Sequence, residues 1–441
     1  MGRSARRKHS SREKPAPGVI ENMSTPILLI GGGMIAHDQI LPTLYQMQRE
    51  ERIGDITVCA QHGRTVKALA EAPALTKAFP DRSFRPLPDY TAADADVRNP
   101  DLYKQALAEL PPRSVAIVAT PDQTHYRIVM DALRAGQHVC CVKPLVLDVA
   151  QSIEIEAEAH KRGLLVSVEY HKRFDPRSQM ARSRAAQGLF GDLKLGTAVL
   201  MEKWYYRSSN FQNWFTCDQT DSFVYIGCHY IDLVHFITGL KPVAVSVYGV
   251  KDRFPNGNEG YLWTDARVIW ENGAALNVQN SLSFADAAPG PNTQGMTLYF
   301  SGNGGGAWLE HSDQYRGIKY SFTQKLSSPG GTQHVEPSPD YFMYQDLGGP
   351  GLVPWGYGVR SVDFLVSEAL RVEKETAGLN GEEALAARRD IIGRIERRGI
   401  VATPANSRYN ELVCQAGRLS ILNGGKQAEI SYDPPGVRLQ D

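Results

Sequence analysis

Four stretches of the chain carry groups able to do chemistry. Gly31-Gly32-Gly33-Met34-Ile35-Ala36 reads G-x-G-x-x-A. In such a turn Gly31 permits the bend, Gly33 lets backbone N–H groups approach a pyrophosphate, and Ala36 allows close helix–strand packing. Met34 and Ile35 would add their backbone to that cradle. Thr120-Pro121 and Lys143-Pro144 each follow an apolar, strand-like run. An ammonium at such a point can stabilise a developing oxyanion. The fourth stretch is Tyr225-Ile226-Gly227-Cys228-His229-Tyr230-Ile231-Asp232. At 100° per residue, Tyr225 and Asp232 lie about 40° and 60° from His229 on a helix. Imidazole, with an ordinary pKa near 6.5, is a natural proton acceptor. From spacing alone, a satisfied histidine on an amphipathic helix explains the same pattern. His235 is rotated about 120° from His229, so His229, Asp232 and His235 make a strained metal set, and no metal is expected.

These groups need elements to hold them. Val115-Ala116-Ile117-Val118-Ala119 is apolar and β-branched, as a strand covered on both faces must be. A helix follows over 123–135, capped by Asp122 or Thr124 and ended by Gly136, and then a strand over 139–142. Strand, helix and strand in about 30 residues make a βαβ unit, and ligands bind beyond the C-terminal strand ends of such sheets. Thr120, Pro121 and Lys143 fall there. The run 26–30 is a strand feeding the glycine turn, which is the context the motif requires. A second strand, 56–60, ends at Gln61, His62 and Arg64, where an acidic residue would favour NAD by accepting from the ribose 2′-OH. No carboxylate stands in that run, so NADP is as open as NAD, unless Arg64 only starts the next helix in solvent. Asp148 to Gly163 reads as a capped helix. The strand 164–168 ends in Glu169-Tyr170-His171-Lys172-Arg173, either a charged loop or a substrate-facing cluster at the same sheet edge.

The balance of 48 basic and 48 acidic residues gives no reason to expect nucleic acid or an acidic membrane as partner. No apolar run approaches the roughly 20 residues of a membrane helix. Six scattered cysteines without a C-x-x-C pair point to free thiols in a reducing, cytoplasmic setting. The 441 residues divide into a basic, disordered tail over 1–23, a dinucleotide-binding domain over 24–170 and a second domain over 171–433. In that second domain strands are expected at 194–206, 243–251, 264–271, 274–284, 296–300 and 307–310, paired antiparallel through turns such as Asn272-Gly273. Gly-rich 301–306 reads as a hairpin, 285–294 as a loop able to act as a lid, and helices return at 359–375 and 410–423.

The glycine turn, Thr120-Pro121-Asp122-Gln123-Thr124-His125, Lys143-Pro144 and Gly227-Cys228-His229-Tyr230-Ile231-Asp232, in that order and spacing, resemble the glucose–fructose oxidoreductase, inositol dehydrogenase and rhizopine-catabolism (Gfo/Idh/MocA) family. The resemblance implies an α/β protein: an N-terminal Rossmann domain plus a C-terminal α/β domain with a large open, mainly antiparallel sheet. It implies an NAD(P)-dependent oxidoreductase acting on a CH–OH of a sugar, inositol or related polyol, and a homodimer or homotetramer. The family's catalytic lysine falls on Lys143, with Val142 where glutamate is usual, and its histidine falls on His229. Tyr225 stands where many members carry an aspartate, so the implied catalytic set is Lys143, Tyr225 and His229, with Tyr225 either donating to a neighbouring substrate oxygen or serving as an aromatic wall. Cofactor contacts would come from Gly31, Gly33, Met34, Ile35, Gln61, Arg64, Thr120, Pro121, His125 and Lys143. Substrate contacts would come from Lys143, His171, Arg173, Tyr225 and Asp232. The same fold also hosts non-catalytic dinucleotide-binding sugar sensors, and NAD-dependent glycosidases or lyases that oxidise a sugar transiently.

Overall fold

The computed structural model describes residues 24–288, 290, 292–302, 306–311 and 341–440. The expected tail over 1–23, Pro289, Pro291 and the centre of the glycine-rich turn, 303–305, lie outside these residues. Six strands form a parallel sheet: β1 Ile27–Ile30, β2 Ile56–Cys59, β3 Arg85–Leu87, β4 Val115–Val118, β5 His138–Val142 and β6 Val166–Glu169, in the order β3-β2-β1-β4-β5-β6. Alternate residues along each strand serve opposite faces. Ile27 and Leu29 join one apolar core, while Leu28 and Ile30 join another. Cys140 and Cys141 divide in the same way, so neighbouring thiols point into different cores.

The helix Val149–Arg162 follows its caps. Asp148 accepts from Ala150 N at 2.9 Å, and Gly163 takes φ +63°. The helix after β4 starts differently from the expectation. A short turn over Asp122–Thr124 precedes His125–Arg134, and neither Asp122 nor Thr124 caps it through a side chain. The Thr124 hydroxyl donates to Pro121 O at 2.7 Å and so ties down the strand end instead.

The second sheet has β7 Leu193–Lys203, β8 Pro242–Arg253, β9 Glu259–Trp270, β10 Ala275–Phe284, β11 Asn292–Phe300 and β12 Ala307–His311, with a separate hairpin of β13 Met343–Gln345 and β14 Val353–Trp355, and a final pair β15 Ala428–Tyr432 and β16 Pro435–Leu439. Its order is β12-β11-β7-β10-β9-β8-β15-β16. Pairing is antiparallel except between β7 and β10, which run parallel. β11 and β12 pair through Phe300 and Ala307, as a hairpin over 301–306 requires. Of the expected lid over 285–294, the last three residues belong to β11, which begins at Asn292, and Lys203 Nζ ties down 285–288 by donating to Ala285 O at 2.9 Å and Ala288 O at 2.6 Å.

Two later helices cross the boundary expected at residue 170. The helix Tyr357–Glu375 returns to the first sheet, and its Val362, Leu365, Val366 and Val372 share a core with Ile27, Ile56 and Ile117. The helix Gly381–Arg398, absent from the sequence reading, joins them through Ile391, Ile392 and Ile395. The remaining inner face of the second sheet packs against residues 223–238 and the helix Pro404–Leu422.

Candidate active site

β1 delivers the glycine turn to the centre of the first sheet. Gly31 has φ +115°, and a Cβ there would lie 2.0 Å from Ala119 O, so only glycine fits between the ends of β1 and β4. At Gly33 no atom lies within 4 Å of the equivalent position. Open space thus faces the backbone where a helix begins, with Met34 exposed and Ile35 half-buried. These are the features a dinucleotide pyrophosphate needs, and the residues present fit it.

Beyond β2 the surroundings differ from the sequence reading. A carboxylate does stand there, supplied from a distant loop. Asp96 Oδ1 accepts from Arg64 N at 2.7 Å across the start of the next helix. Arg98 Nε donates to Gln61 Oε1 at 3.0 Å. The loop is locked by Gly63 N to Ala95 O at 2.6 Å and Asn99 N to Gln61 O at 3.0 Å. Charges of both signs therefore flank the edge where an adenosine ribose would lie.

At the ends of β4 and β5, His125 is fully buried, its ring nitrogens 2.9 Å from Pro144 O and 2.8 Å from Thr120 O. Both nitrogens are spent on protein carbonyls, so His125 braces the two strand ends rather than touching a cofactor, correcting its expected role. Asp122 is buried beside it, and its Oδ2 has no hydrogen-bond partner among the described residues. Burial pushes this carboxyl up to about 6, opposed by His125 and Lys143. Lys143 crosses to the other half of the molecule. Its Nζ donates to Tyr225 O and lies 3.9 Å from the centre of the Tyr225 ring.

The segment bearing Tyr225 is not a continuous α-helix. A π-turn over Phe223–Gly227 runs into the α-helix Cys228–Thr238. The wider turn breaks the assumed 100° step, and such turns concentrate at functional sites. Tyr225 consequently packs edge-on against Phe211, Trp214 and Phe215, a ring in an aromatic wall whose carbonyl holds the lysine. His229 is 8% exposed, and its Nδ1 has no hydrogen-bond partner among the described residues. Burial, then Lys143, His171 and Lys172, hold its pKa well below the usual imidazole value. Burial and these cations disfavour its charged form, so the imidazole is held neutral and is a weaker base than one in water. The His171 ring lies 4.8 Å from the His229 ring, between it and Tyr341 and Tyr357. Glu169 orients His171, its Oε2 3.3 Å from Nδ1, and accepts from Gln39 at 2.8 Å.

Arg173 and Asp232 belong elsewhere. Arg173 donates to both carboxylate oxygens of Asp232 at 2.8 and 2.7 Å, and Tyr409 OH donates to the same carboxylate at 2.7 Å. Both residues are buried and spent on each other, so their expected substrate contacts are withdrawn. His235 Nδ1 lies 2.8 Å from Leu240 O, and among the described residues no three potential metal ligands converge. Sequence reasoning read Asp122 only as a helix cap and Lys172 only within the charged cluster after the strand 164–168, and it passed over Glu202, Asn292 and Gln294. Lys172 Nζ donates to Gln294 Oε1, Gln294 Nε2 donates to Asn292 Oδ1 at 3.1 Å, and Asn292 Nδ2 reaches Glu202 Oε2 at 3.5 Å. Lys143 and Lys172 both act electrostatically on Glu202. A carboxylate on the same strand face as Ala198 and Leu200 was the signal available for it.

Residues 26–170 match the family model described as an oxidoreductase family with an NAD-binding Rossmann fold (GFO/IDH/MocA). Residues 178–306 match the GFO/IDH/MocA C-terminal domain. D-glucoside 3-dehydrogenase of Escherichia coli (strain K12) is 24% identical over 222 residues, 49% of this chain and 55% of that protein. The curated relatives are matched over between 21% and 55% of their length. GenD2 from gentamicin A biosynthesis, solved in complex with NAD, superposes with TM-score 0.60 at 16% identity over 95% of this chain and 100% of that one. Scyllo-inositol dehydrogenase from Lactobacillus casei, solved with bound NAD(H) and scyllo-inositol, gives TM-score 0.56 at 12% identity over 91% of this chain and 97% of that one. At these identities the likeness to solved structures is one of fold.

Proposed function

We propose that this chain, which belongs to the Gfo/Idh/MocA family of NAD-binding oxidoreductases, exchanges hydride with a carbinol carbon of a sugar, inositol or related polyol. The observation that carries the reading is the meeting of two groups from different halves. Lys143, from the end of β5, is held by the carbonyl of Tyr225, and its charge reaches His229 on the following helix. Relatives named for inositol, glucoside and dihydrodiol oxidation support the substrate class.

Bound along the glycine turn and Thr120-Pro121, the nicotinamide dinucleotide would supply the hydride acceptor or donor. The chain's own residues do the rest. Lys143 donates a hydrogen bond to the reacting oxygen and stabilises alkoxide charge as it develops. His229, neutral and with an unpartnered Nδ1, takes the hydroxyl proton in oxidation and returns it in reduction. His171 and the aromatic wall of Phe211, Trp214 and Tyr225 border the cleft and limit water. NAD and NADP are both proposed as cofactors, with the ribose edge near Asp96 and Arg98 deciding between them.

The second sheet leaves Tyr248 64% and Trp308 62% exposed, with Leu195, Val250 and Tyr299 also open, an apolar face suited to a homodimer or homotetramer. No described helix is long and apolar enough to cross a membrane. The free cysteines, buried apart from half-buried Cys217, support a reducing, cytoplasmic setting. The test is NAD(P)H absorbance with purified protein, a panel of polyols and sugars, and each cofactor in turn. Turnover on at least one member supports the reading. No cofactor-dependent turnover on any of them refutes it.

A further inference from the structure

We propose that Glu202, with Asn292 and Gln294 behind it, forms a hydroxyl-binding subsite that takes a neighbouring OH of the polyol and so sets substrate specificity. The inference rests on the oxidoreductase reading above. Along β7, Ala198 and Leu200 are 1% and 3% exposed and face the core. Two residues on, Glu202 continues that same face. Register places it opposite Asn292 on β11, with Leu200 opposite Gln294, so Glu202, Asn292 and Gln294 share one inward surface.

Two buried carboxylates of the same half are fully paired among the described residues. Asp232 has Arg173 and Tyr409, and Asp175 has Arg177 and His311. Glu202 is different. Its one hydrogen bond among the described residues is the 3.5 Å contact from Asn292 Nδ2. Lys143 and Lys172 both act on it electrostatically, yet neither forms an ion pair with it among the described residues. Lys172 Nζ instead donates to Gln294 Oε1, which also accepts from Tyr230 OH at 3.3 Å. The polar chain thus runs Lys172, Gln294, Asn292 and stops at a carboxylate with acceptor capacity to spare. Burial pushes that carboxyl up to about 7, opposed by Lys143, Asn292 and Lys172. Hydroxyl hydrogens are the donors such a group lacks, and a polyol brings one on the carbon next to the reacting one. A half-buried acceptor that the bound substrate covers but does not match, for lack of that hydroxyl, penalises binding.

Glu202→Gln keeps the shape and removes the charge, while Glu202→Asp keeps the charge and shortens the reach. Steady-state kinetics with myo-inositol and methyl β-D-glucoside as probes separates the outcomes. In Glu202→Gln, KM for the probe that the wild type oxidises rises by about 10- to 100-fold, proportionately more than kcat falls, as loss of a charged hydrogen bond predicts. Glu202→Asp recovers part of that loss. Wild-type KM in Glu202→Gln, or equal loss in both variants, overturns the subsite while the oxidoreductase reading stands. A wild type that oxidises no polyol takes both down.

Discussion

The Lys143 ammonium lies 3.9 Å from the centre of the Tyr225 ring and donates to the carbonyl of that same residue. One side chain from the nucleotide-binding half is thereby fixed to the segment that carries His229. A cation over an aromatic face contributes about 0.5–2 kcal/mol, and the carbonyl adds direction. Tyr225 thus serves the lysine through its ring face and backbone, which explains how tyrosine can stand where an aspartate is usual in the family.

The glycine turn separates two kinds of requirement. Gly31→Ala sets a Cβ 2.0 Å from Ala119 O at φ +115°, and should cost more than about 3 kcal/mol of stability. Gly33→Ala meets no atom within 4 Å and should melt like the wild type. Its methyl nevertheless takes space the pyrophosphate needs, so NADH affinity falls by about tenfold or more. Thermal melts and fluorescence titration with NADH check both. Wild-type NADH affinity in Gly33→Ala contradicts the placement of the cradle.

Cofactor choice should depend on a residue far from the motif. Asp96 accepts from Arg64 N, and Arg98 holds Gln61. Asp96→Ala removes a charge that repels a 2′-phosphate, so the kcat/KM ratio of NADP to NAD rises by about tenfold. Arg98→Ala moves the ratio the other way. An unchanged ratio in both variants removes this loop from the cofactor site.

The buried Arg173–Asp232 pair should matter for folding and not for substrate. Asp232→Ala strands a buried guanidinium and costs about 3–5 kcal/mol by denaturant melts. Joint replacement, Arg173→Met with Asp232→Leu, restores much of that loss. KM of the surviving double variant stays near the wild-type value. A large rise would return Asp232 to the substrate site.

Glu411 gives the pH dependence of stability a definite sign. It is fully buried, and burial pushes its pKa up from 4.5 to about 8 against the lowering pull of backbone hydrogen bonding. The unfolded chain releases this proton first, so the folded state binds more protons between pH 4.5 and about 8. Stability should therefore fall as pH rises through that window. Glu411→Gln should flatten the fall, as read from melting temperature against pH. An unchanged slope would place the dependence in other groups, among them Asp122 and Glu202, which burial pushes up to about 6 and about 7.

Local signals made the first sheet and its glycine turn readable. β-branched runs marked β1, β2 and β4, and Asp148 and Gly163 bounded their helix. The helix Gly381–Arg398 escaped because only Ala384, Ile391, Ile392 and Ile395 of its face are buried, too sparse a stripe among charged residues. Tyr225 was misplaced because no α-helical spacing rule anticipates a π-turn. Asp96 reaches the β2 edge from 32 residues beyond Arg64, and Glu202 meets Asn292 across 90 residues. Only tertiary pairing makes such neighbours. Arg173 and Asp232 looked functional because charge in a cleft-edge cluster was visible, while their mutual burial was not.

The central claim is that Lys143 and His229 act on the same reacting oxygen. A double-mutant cycle of Lys143→Met and His229→Ala tests it most directly, with kcat on the wild type's best polyol and NADH affinity measured for all four proteins. Each single variant should lose about 10²–10⁴ in kcat, the double variant little more than the worse single one, and NADH affinity should stay near wild type in every case. Wild-type turnover in both single variants, or losses that multiply fully in the double variant, would contradict it.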